Sequence, residues 1–327
     1  MKRMKTRGAV LDLGSNTIKL MLAEQFNGNL HIHKEKRYPT RLATRMNQTG
    51  RLSKRAIKES LMVLREIKKI TESFDAFKLV AVGTSATRSA TNSQDFLAPA
   101  QQIIRCPIRI VSGKLEGQLV YQALMTHKKW RTKPILASDL GGGSIEILAG
   151  ENERLTFCRS LPLGAVRIQE TLIQKLPPPA PNIKRAQDLI ISKFLRIKKK
   201  LLEMSAYSTF PQEMIASGGT SYALACMTLR EQGIKQPQHQ TEGTRISRSK
   251  IQQLLQTLSS YSAEQLARKF HIPSDRADII TAGTLVLSTA LETFEMKSLI
   301  CSNRGVRIGA WSNWICSEPI KKVIHVC

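Results

Sequence analysis

Residues 9–22 read AVLDLGSNTIKLML, and residues 136–148 read LASDLGGGSIEIL. In the first stretch an apolar run ends at Asp12, breaks into the turn Gly14-Ser15-Asn16-Thr17, and resumes as IKLMLAEQF before Asn27-Gly28 and NLHIHKEKRY. Asn-Gly between apolar segments is a strong hairpin signal, so three antiparallel strands are expected, with a polar loop between the first two. The phrase recurs 127 residues later as PILASDL, a Gly-rich loop, ILAG, a turn at Glu151-Asn152 and RLTFCRSLPL. Asp12 matches Asp139, Leu13 matches Leu140, Gly14 matches Gly141 and Ile18 matches Ile145, while Thr17 and Ser144 place a hydroxyl at the same offset. A match set in the same order of strand, loop, strand and turn points to an internal duplication.

Outward from these stretches, each half adds helices and strands. Ser53 can cap a helix with Ile57, Leu61, Leu64 and Ile67 on one face. KLVAV (78–82) and residues 108–111 read as strands, followed by a helix over 115–125. Pro177 to Pro181 stop one helix and start another, which turns Ile190, Phe194, Ile197 and Leu201 inward and Lys198-Lys199-Lys200 outward. Residues 214–217 and 298–301 read as strands, 247–258 and 276–294 as helices, and 232–243 as a flexible surface loop. The expected fold is α/β: two similar domains with mixed sheets flanking a central cleft. Domain limits are placed at 1–130 and 131–327, with a final helix over about 305–327 packing back on the first domain.

The chain has 327 residues, 42% of them hydrophobic, enough for real cores and too much for a disordered chain. Fifty Lys and Arg against 25 Asp and Glu leave a formal charge of +25, which favours polyanionic partners. The six Cys form no C-x-x-C pair, which argues against a disulfide framework and for a reducing compartment. The basic start resembles a signal peptide, but Asp12, Asn16 and Lys19 interrupt its apolar run, and no segment has the ~18 apolar residues of a membrane span. A cytoplasmic protein with no membrane partner is expected.

The chemistry is written in loops at strand ends. Residues 14–17, 83–85, 112–113, 141–144 and 218–221 are rich in Gly, Ser and Thr, whose N–H and hydroxyl groups suit phosphate oxygens. Gly14, Ser15, Asn16, Thr17, Thr84, Gly141, Gly142, Gly143, Ser144, Gly218, Gly219 and Thr220 are therefore the phosphate-binding candidates. Acids are scarce, yet Asp12, Glu116, Asp139 and Glu146 lie in or beside these loops, where a carboxylate can hold Mg2+ or take a proton from water. Arg88 follows the loop 83–85, where a guanidinium can clamp phosphate oxygens. The His spacing lacks a zinc motif, and neither a G-x-S-x-G elbow nor a Walker A loop is present. Aromatics are 5% and do not interleave with the basic clusters, which leaves nucleic acid as a non-specific partner at most.

The sequence resembles the Ppx/GppA phosphatase family, the exopolyphosphatases and guanosine pentaphosphate phosphohydrolases. The resemblance runs from about Ala9 to Ala310. It rests on AVLDLGSNTIKLML, AVGTSATRSATNSQDFL, IRIVSGKLEGQLVY, LASDLGGGSIEIL, RSLPLGAVRIQE, IASGGTSYALA, DRADIITAGTLVL and CSNRGVRIGA, in family order. It implies a duplicated ribonuclease-H-like fold, shared with actin, sugar kinases and heat-shock ATPases, and Mg2+-dependent hydrolysis of a terminal phosphoanhydride. By the same resemblance Glu116 is the catalytic base, Asp139 and Glu146 are metal- and phosphate-site acids, and Arg88 binds phosphate at the catalytic centre; Asp12, from its place beside the first loop, is the third metal candidate.

Departures are local. The first Glu of the family's S-G-x-E-E-A-R-L stretch is Leu115 here, the Ala-Arg after the second Glu is Gly117-Gln118, and a late R-E-G reads Arg307-Ile308-Gly309. Eighteen residues follow Gly309, which places the chain among the short, two-domain forms. The substrate this implies is inorganic polyphosphate, with guanosine pentaphosphate as the alternative and a non-catalytic polyphosphate- or nucleic-acid-binding protein as a second alternative. One possible assembly is a homodimer.

Overall fold

The computed structural model describes residues 6–204, 211–316 and 319–326. The basic leader 1–5, residues 317–318 of the expected final helix, and Cys327 lie outside them. By its contacts the chain forms two compact units, Met1–Lys128 with Arg304–Cys327, and Lys129–Asn303.

In the first unit β1 (Thr6–Leu13), β2 (Ile18–Phe26) and β3 (Asn29–Tyr38) form an antiparallel meander. Asn27 and Gly28, both at positive φ, make the hairpin turn between β2 and β3. β4 (Lys78–Gly83) runs parallel to β1, and β5 (Ile108–Ile110) runs parallel to β4. The helix Lys54–Ser73, capped by Ser53 Oγ accepting from Ala56 N at 3.2 Å, buries Ile57, Leu64 and Ile67 in the core. Phe96, Leu97, Ala100 and Ile104 of the helix Gln94–Ile104 join the same core.

The second unit repeats this plan. β6 (Ile135–Leu140), β7 (Ile145–Glu151) and β8 (Arg154–Leu161) form the meander. β9 (Glu213–Gly218) lies parallel to β6, with β11 (Ser298–Cys301) parallel beyond it and β10 (Arg245–Ser247) antiparallel at the edge. The sheet order is therefore β8-β7-β6-β9-β11-β10, against β3-β2-β1-β4-β5 in the first unit.

Even the irregularities agree. The ladder β2–β3 slips between Leu22 and Ala23, and β7–β8 slips at the matching place, between Ala149 and Gly150. Ile190, Phe194, Ile197 and Leu201 of the helix Ala180–Glu203 are buried as their spacing predicts, with the Phe194 and Phe294 rings 5.5 Å apart.

Four expectations change. The stretch 305–327 is helical only over Val306–Trp314; β12 (Lys322–His325) then adds to the first sheet, parallel to β3. Trp311 of that helix is fully buried and donates from Nε1 to Gln25 Oε1 at 2.7 Å, so the segment belongs to the first unit's core. Gly309 is required there: a Cβ would stand 2.0 Å from the Leu119 carbonyl oxygen of the helix Gly113–Met125. The helix expected over 276–294 is two, Ser274–Ala277 and Ile280–Thr293. The loop 232–243 is anchored rather than loose, because Thr241 is buried and the Glu242 carboxylate accepts from Asn303 N at 2.5 Å. Lys198, expected to face outward, pairs with Glu295 at 2.8 Å.

Among the described residues no helix is long and apolar enough to cross a membrane.

Candidate active site

The turns after β1 and β6 are built alike. Gly14 N donates to Thr17 O at 3.2 Å, and Gly141 N donates to Ser144 O at 3.0 Å. In each unit the chain after the third strand bonds back onto the turn. Ala43 N and Arg41 N donate to the Ser15 and Asn16 carbonyls, both at 2.9 Å. Ala165 N and Val166 N donate to the Gly141 and Gly142 carbonyls at 3.0 and 2.9 Å. Carbonyls fixed from behind orient the turn and keep its acceptors occupied, as an anion-binding loop requires. Ser15, Asn16, Thr17 and Ser144 are all buried, and Thr17 Oγ1 has no hydrogen-bond partner among the described residues.

Gly164 makes the second clasp feasible. A Cβ there would stand 2.3 Å from the Gly142 carbonyl oxygen and 2.4 Å from the Gly142 and Gly143 carbonyl carbons. Gly164→Ala is therefore expected to displace the 141–144 turn and to destabilise the protein by roughly 2–4 kcal/mol, measured by urea unfolding. Stability equal to the unsubstituted protein would show that this clasp does not hold the turn.

The residues that follow β4 and β9 play different parts. Gly218, at φ +103°, packs a backbone that any Cβ would drive into the Leu140 carbonyl, 2.3 Å away. Gly219 opens the helix Gly219–Glu231 and leaves its vacant side to Arg276, whose guanidinium carbon would lie 2.3 Å from a Cβ. Thr220 is 1% exposed, and its Oγ1 would lie 2.3 Å from a Cβ at Gly283. Its side chain packs against the helix Ile280–Thr293 at Gly283. Thr84 is buried, with its N 3.5 Å from Leu13 O and its carbonyl accepting from Thr87 Oγ1.

The acids sort by strand register. Asp139 on β6 faces Glu146 on β7, Ser217 lies beside Asp139 on β9, and Ser160 lies beside Glu146 on β8. Paired positions share a sheet face, so two carboxylates sit together with a hydroxyl on each flank. Ser217 Oγ donates to Asp139 Oδ1 at 2.7 Å, and Ser160 Oγ donates to Glu146 Oε1 at 2.6 Å. The matching pair in the first unit is Asp12 and Lys19, whose Nζ lies 3.0 Å from Asp12 Oδ2. One half thus neutralises its acid with a lysine, and the other sets two acids face to face.

This asymmetry bears on metal binding. Mg2+ takes hard oxygen donors and is usually held by one or two carboxylates plus waters and substrate phosphates. Asp139 and Glu146, with one oxygen of each oriented by a serine, fit that donor set. Among the described residues no group of three or more His, Cys, Asp and Glu gathers to make a closed cage. Asp12, expected as a third ligand, pairs with Lys19.

Glu116 lies in the first turn of the helix Gly113–Met125, after Ser112, whose Oγ accepts from Leu115 N at 3.1 Å. It is 7% exposed, and its Oε2 accepts from Arg88 Nη1 at 3.0 Å. The same nitrogen donates to the Val111 carbonyl at 2.6 Å, which fixes the guanidinium. The half-buried guanidinium orients the carboxylate. Arg88, expected only as a phosphate clamp, thus also positions Glu116. Leu115 stands where a glutamate would return a bond to the Ser112 N–H, so the reciprocal half of a capping box is missing.

Arg167 lies against the 141–144 turn, a placement that loop composition does not reveal. Its N donates to the Gly142 carbonyl at 3.1 Å and its Nε to the Gly143 carbonyl at 3.2 Å. Burial lowers its pKa and the Glu170 charge opposes the shift, the mark of a guanidinium set into the protein beside the turn. Lys19, Ser160 and Ser217 were missed for one reason: they reach the acids through strand pairing, which no local motif records.

Two mixed sheets that share a five-strand order, each with a glycine turn after its first strand and an acid near that strand's end, Asp12 buried and Asp139 half-buried, define a duplicated ribonuclease-H-like fold of the actin type. The chain belongs to the Ppx/GppA phosphatase family, whose model matches residues 21–318, and it is a phosphohydrolase by that membership. Exopolyphosphatase 1 of Mycobacterium tuberculosis is 27% identical over 297 residues, which cover 90% of this chain and 84% of the relative. The crystal structure of the Aquifex aeolicus family member, 27% identical, superposes with a TM-score of 0.76 over 94% of this chain and 96% of that one. An exopolyphosphatase structure from Cytophaga hutchinsonii, 19% identical, matches the fold with a TM-score of 0.87 over 95% and 98%.

Proposed function

We propose that this chain is a cytoplasmic exopolyphosphatase that hydrolyses the terminal phosphoanhydride of inorganic polyphosphate. The observation that carries the reading is the buried Glu116 carboxylate, oriented by Arg88 at 3.0 Å at the start of a helix. Glu116 takes the proton of the attacking water, whose oxygen bonds to the terminal phosphorus as the bridging oxygen leaves with the shortened chain. The turns 14–17 and 141–144 bind and orient phosphate oxygens through Gly14, Ser15, Asn16, Thr17, Gly141, Gly142, Gly143 and Ser144, and Arg88 adds a guanidinium. Asp139 and Glu146 would hold Mg2+, which supplies neutralisation of charge on the phosphate oxygens. Phosphoryl transfer needs chiefly positioning and electrostatic stabilisation, and these residue types provide both.

The names of the curated relatives favour polyphosphate, and so does the charge of +25. Guanosine pentaphosphate, cleaved at its 5′ end by the same groups, is the alternative. Phosphate release from polyphosphate and from guanosine pentaphosphate, measured side by side with Mg2+, separates the two. Polyphosphate is expected to have the higher kcat/KM. A higher value on the nucleotide would overturn the substrate assignment and leave the catalytic groups standing. No release from either would favour a binding protein.

A further inference from the structure

The helix Ala180–Glu203 connects β8 to β9, so it runs back along the second unit's sheet. Its last turns lie where β9 begins: Lys198 pairs with Glu295, and nearby Lys297 N donates to the Gln212 carbonyl just before β9. Its first turns therefore lie toward the other end of the sheet, which carries the turns 141–144 and 218–220.

Seven basic residues stand on this helix, and they fall into two sets. Lys184, Lys198 and Lys199 pair with Asp188, Glu295 and Glu203. Arg185, Lys193, Arg196 and Lys200 make no ion pair or side-chain hydrogen bond among the described residues. At 3.6 residues per turn these four project within an arc of about 80° and span about 22 Å of helix. Arg185, Arg196 and Lys200 are exposed and Lys193 is half-buried. The acids paired to this helix are thus taken by one set of cations, and the other set forms an uncompensated stripe.

From this arrangement we propose that Arg185, Lys193, Arg196 and Lys200 form an outer binding track for inorganic polyphosphate, leading away from the loop end of the second unit's sheet. The inference rests on the polyphosphate reading above. Only Leu189 lies between the cations on that arc, and it carries no aromatic ring on which a base would stack, so the track suits a polymer that is phosphate throughout.

The test uses the full chain with all four residues changed to Gln, which keeps polar, exposed side chains and removes the charge. Binding of end-labelled long-chain polyphosphate is measured by fluorescence anisotropy from 50 to 200 mM salt, beside tripolyphosphate, which is too short to occupy a 22 Å stripe. Affinity of the variant for the long chain is expected to fall on the order of 10- to 100-fold at 0.1 M salt, and the slope of log affinity against log salt to fall by about 3. Its affinity for tripolyphosphate is expected to stay within about twofold of the unsubstituted protein. A version with Arg185→Lys and Arg196→Lys is expected to keep the long-chain affinity, which separates loss of charge from loss of fold. Unchanged long-chain affinity and salt slope in the Gln variant would overturn the track. Tighter binding of single-stranded RNA than of polyphosphate, lost in the same variant, would overturn it in favour of a nucleic-acid surface. Failure of the polyphosphatase reading is seen separately, as absence of phosphate release from long-chain polyphosphate by the unsubstituted protein.

Discussion

Glu116→Gln is expected to lower turnover of polyphosphate by roughly 10²–10⁴ while leaving substrate binding intact. The amide keeps the size of the carboxylate and can still accept from Arg88 Nη1, so the 3.0 Å contact and the helix start are preserved. What it loses is the capacity to take a proton. Arg88 gives the complementary result. One nitrogen, Nη1, donates to both the Val111 carbonyl and Glu116, so Arg88→Lys keeps a charge but loses the planar guanidinium whose other nitrogens are left to meet phosphate. That substitution is expected to lower turnover and raise KM together, as loss of both positioning and phosphate contact should. Glu116→Gln with near-normal turnover would move the base elsewhere.

Removal of divalent cation is expected to abolish hydrolysis, with a physical signature apart from activity. Asp139 and Glu146 pair in strand register, which sets both carboxylates on one face of the sheet where a hard cation would find two oxygen donors. Mg2+ binding to the folded state alone should raise the thermal midpoint with concentration, by the linkage that gives about 2.7 kcal/mol at a hundredfold excess over Kd. The double variant Asp139→Asn, Glu146→Gln should lose that rise. The matching residues of the first unit, Asp12 and Lys19, form a neutral pair, and Asp12→Asn should leave the Mg2+ dependence of the midpoint in place. A midpoint indifferent to Mg2+ in the unsubstituted protein would show the acid pair to be structural.

The duplicated turns were legible because everything that makes them is local. An apolar run, an acid, a glycine turn and a second apolar run specify strand, loop and strand within fourteen residues, and both halves spell it. Helices with long apolar faces, such as Lys54–Ser73 and Ala180–Glu203, were legible for the same reason. The strands β10 and β12, with 3 and 4 residues, are too short to show a period, and their place at sheet edges is set by tertiary pairing alone. The helix Ala263–Phe270 carried a readable signal that went unused, a capping box in which Ser262 Oγ accepts from Gln265 N and Gln265 Oε1 accepts from Ser262 N.

Among site residues the division is similar. Glu116, Asp139 and Glu146 stand in motifs, whereas their neighbours arrive through the fold. Ser160 and Ser217 come from strands far along the chain, Lys19 lies across a hairpin from Asp12, and Arg167 turns back onto a loop 24 residues earlier. Lys198 shows the same limit from the other side. Helical spacing put it on an outer face, and an acid on another element, Glu295, claimed it.

Hydrolysis of long-chain polyphosphate in ¹⁸O-labelled water, with Mg2+ and with both the unsubstituted protein and Glu116→Gln, tests the central claim most directly. Attack of an activated water on the terminal phosphorus predicts one ¹⁸O atom in each orthophosphate released, none in the remaining chain, and release slower by roughly 10²-fold or more in the variant. Label appearing in the shortened chain, or equal rates for the two proteins, would contradict it.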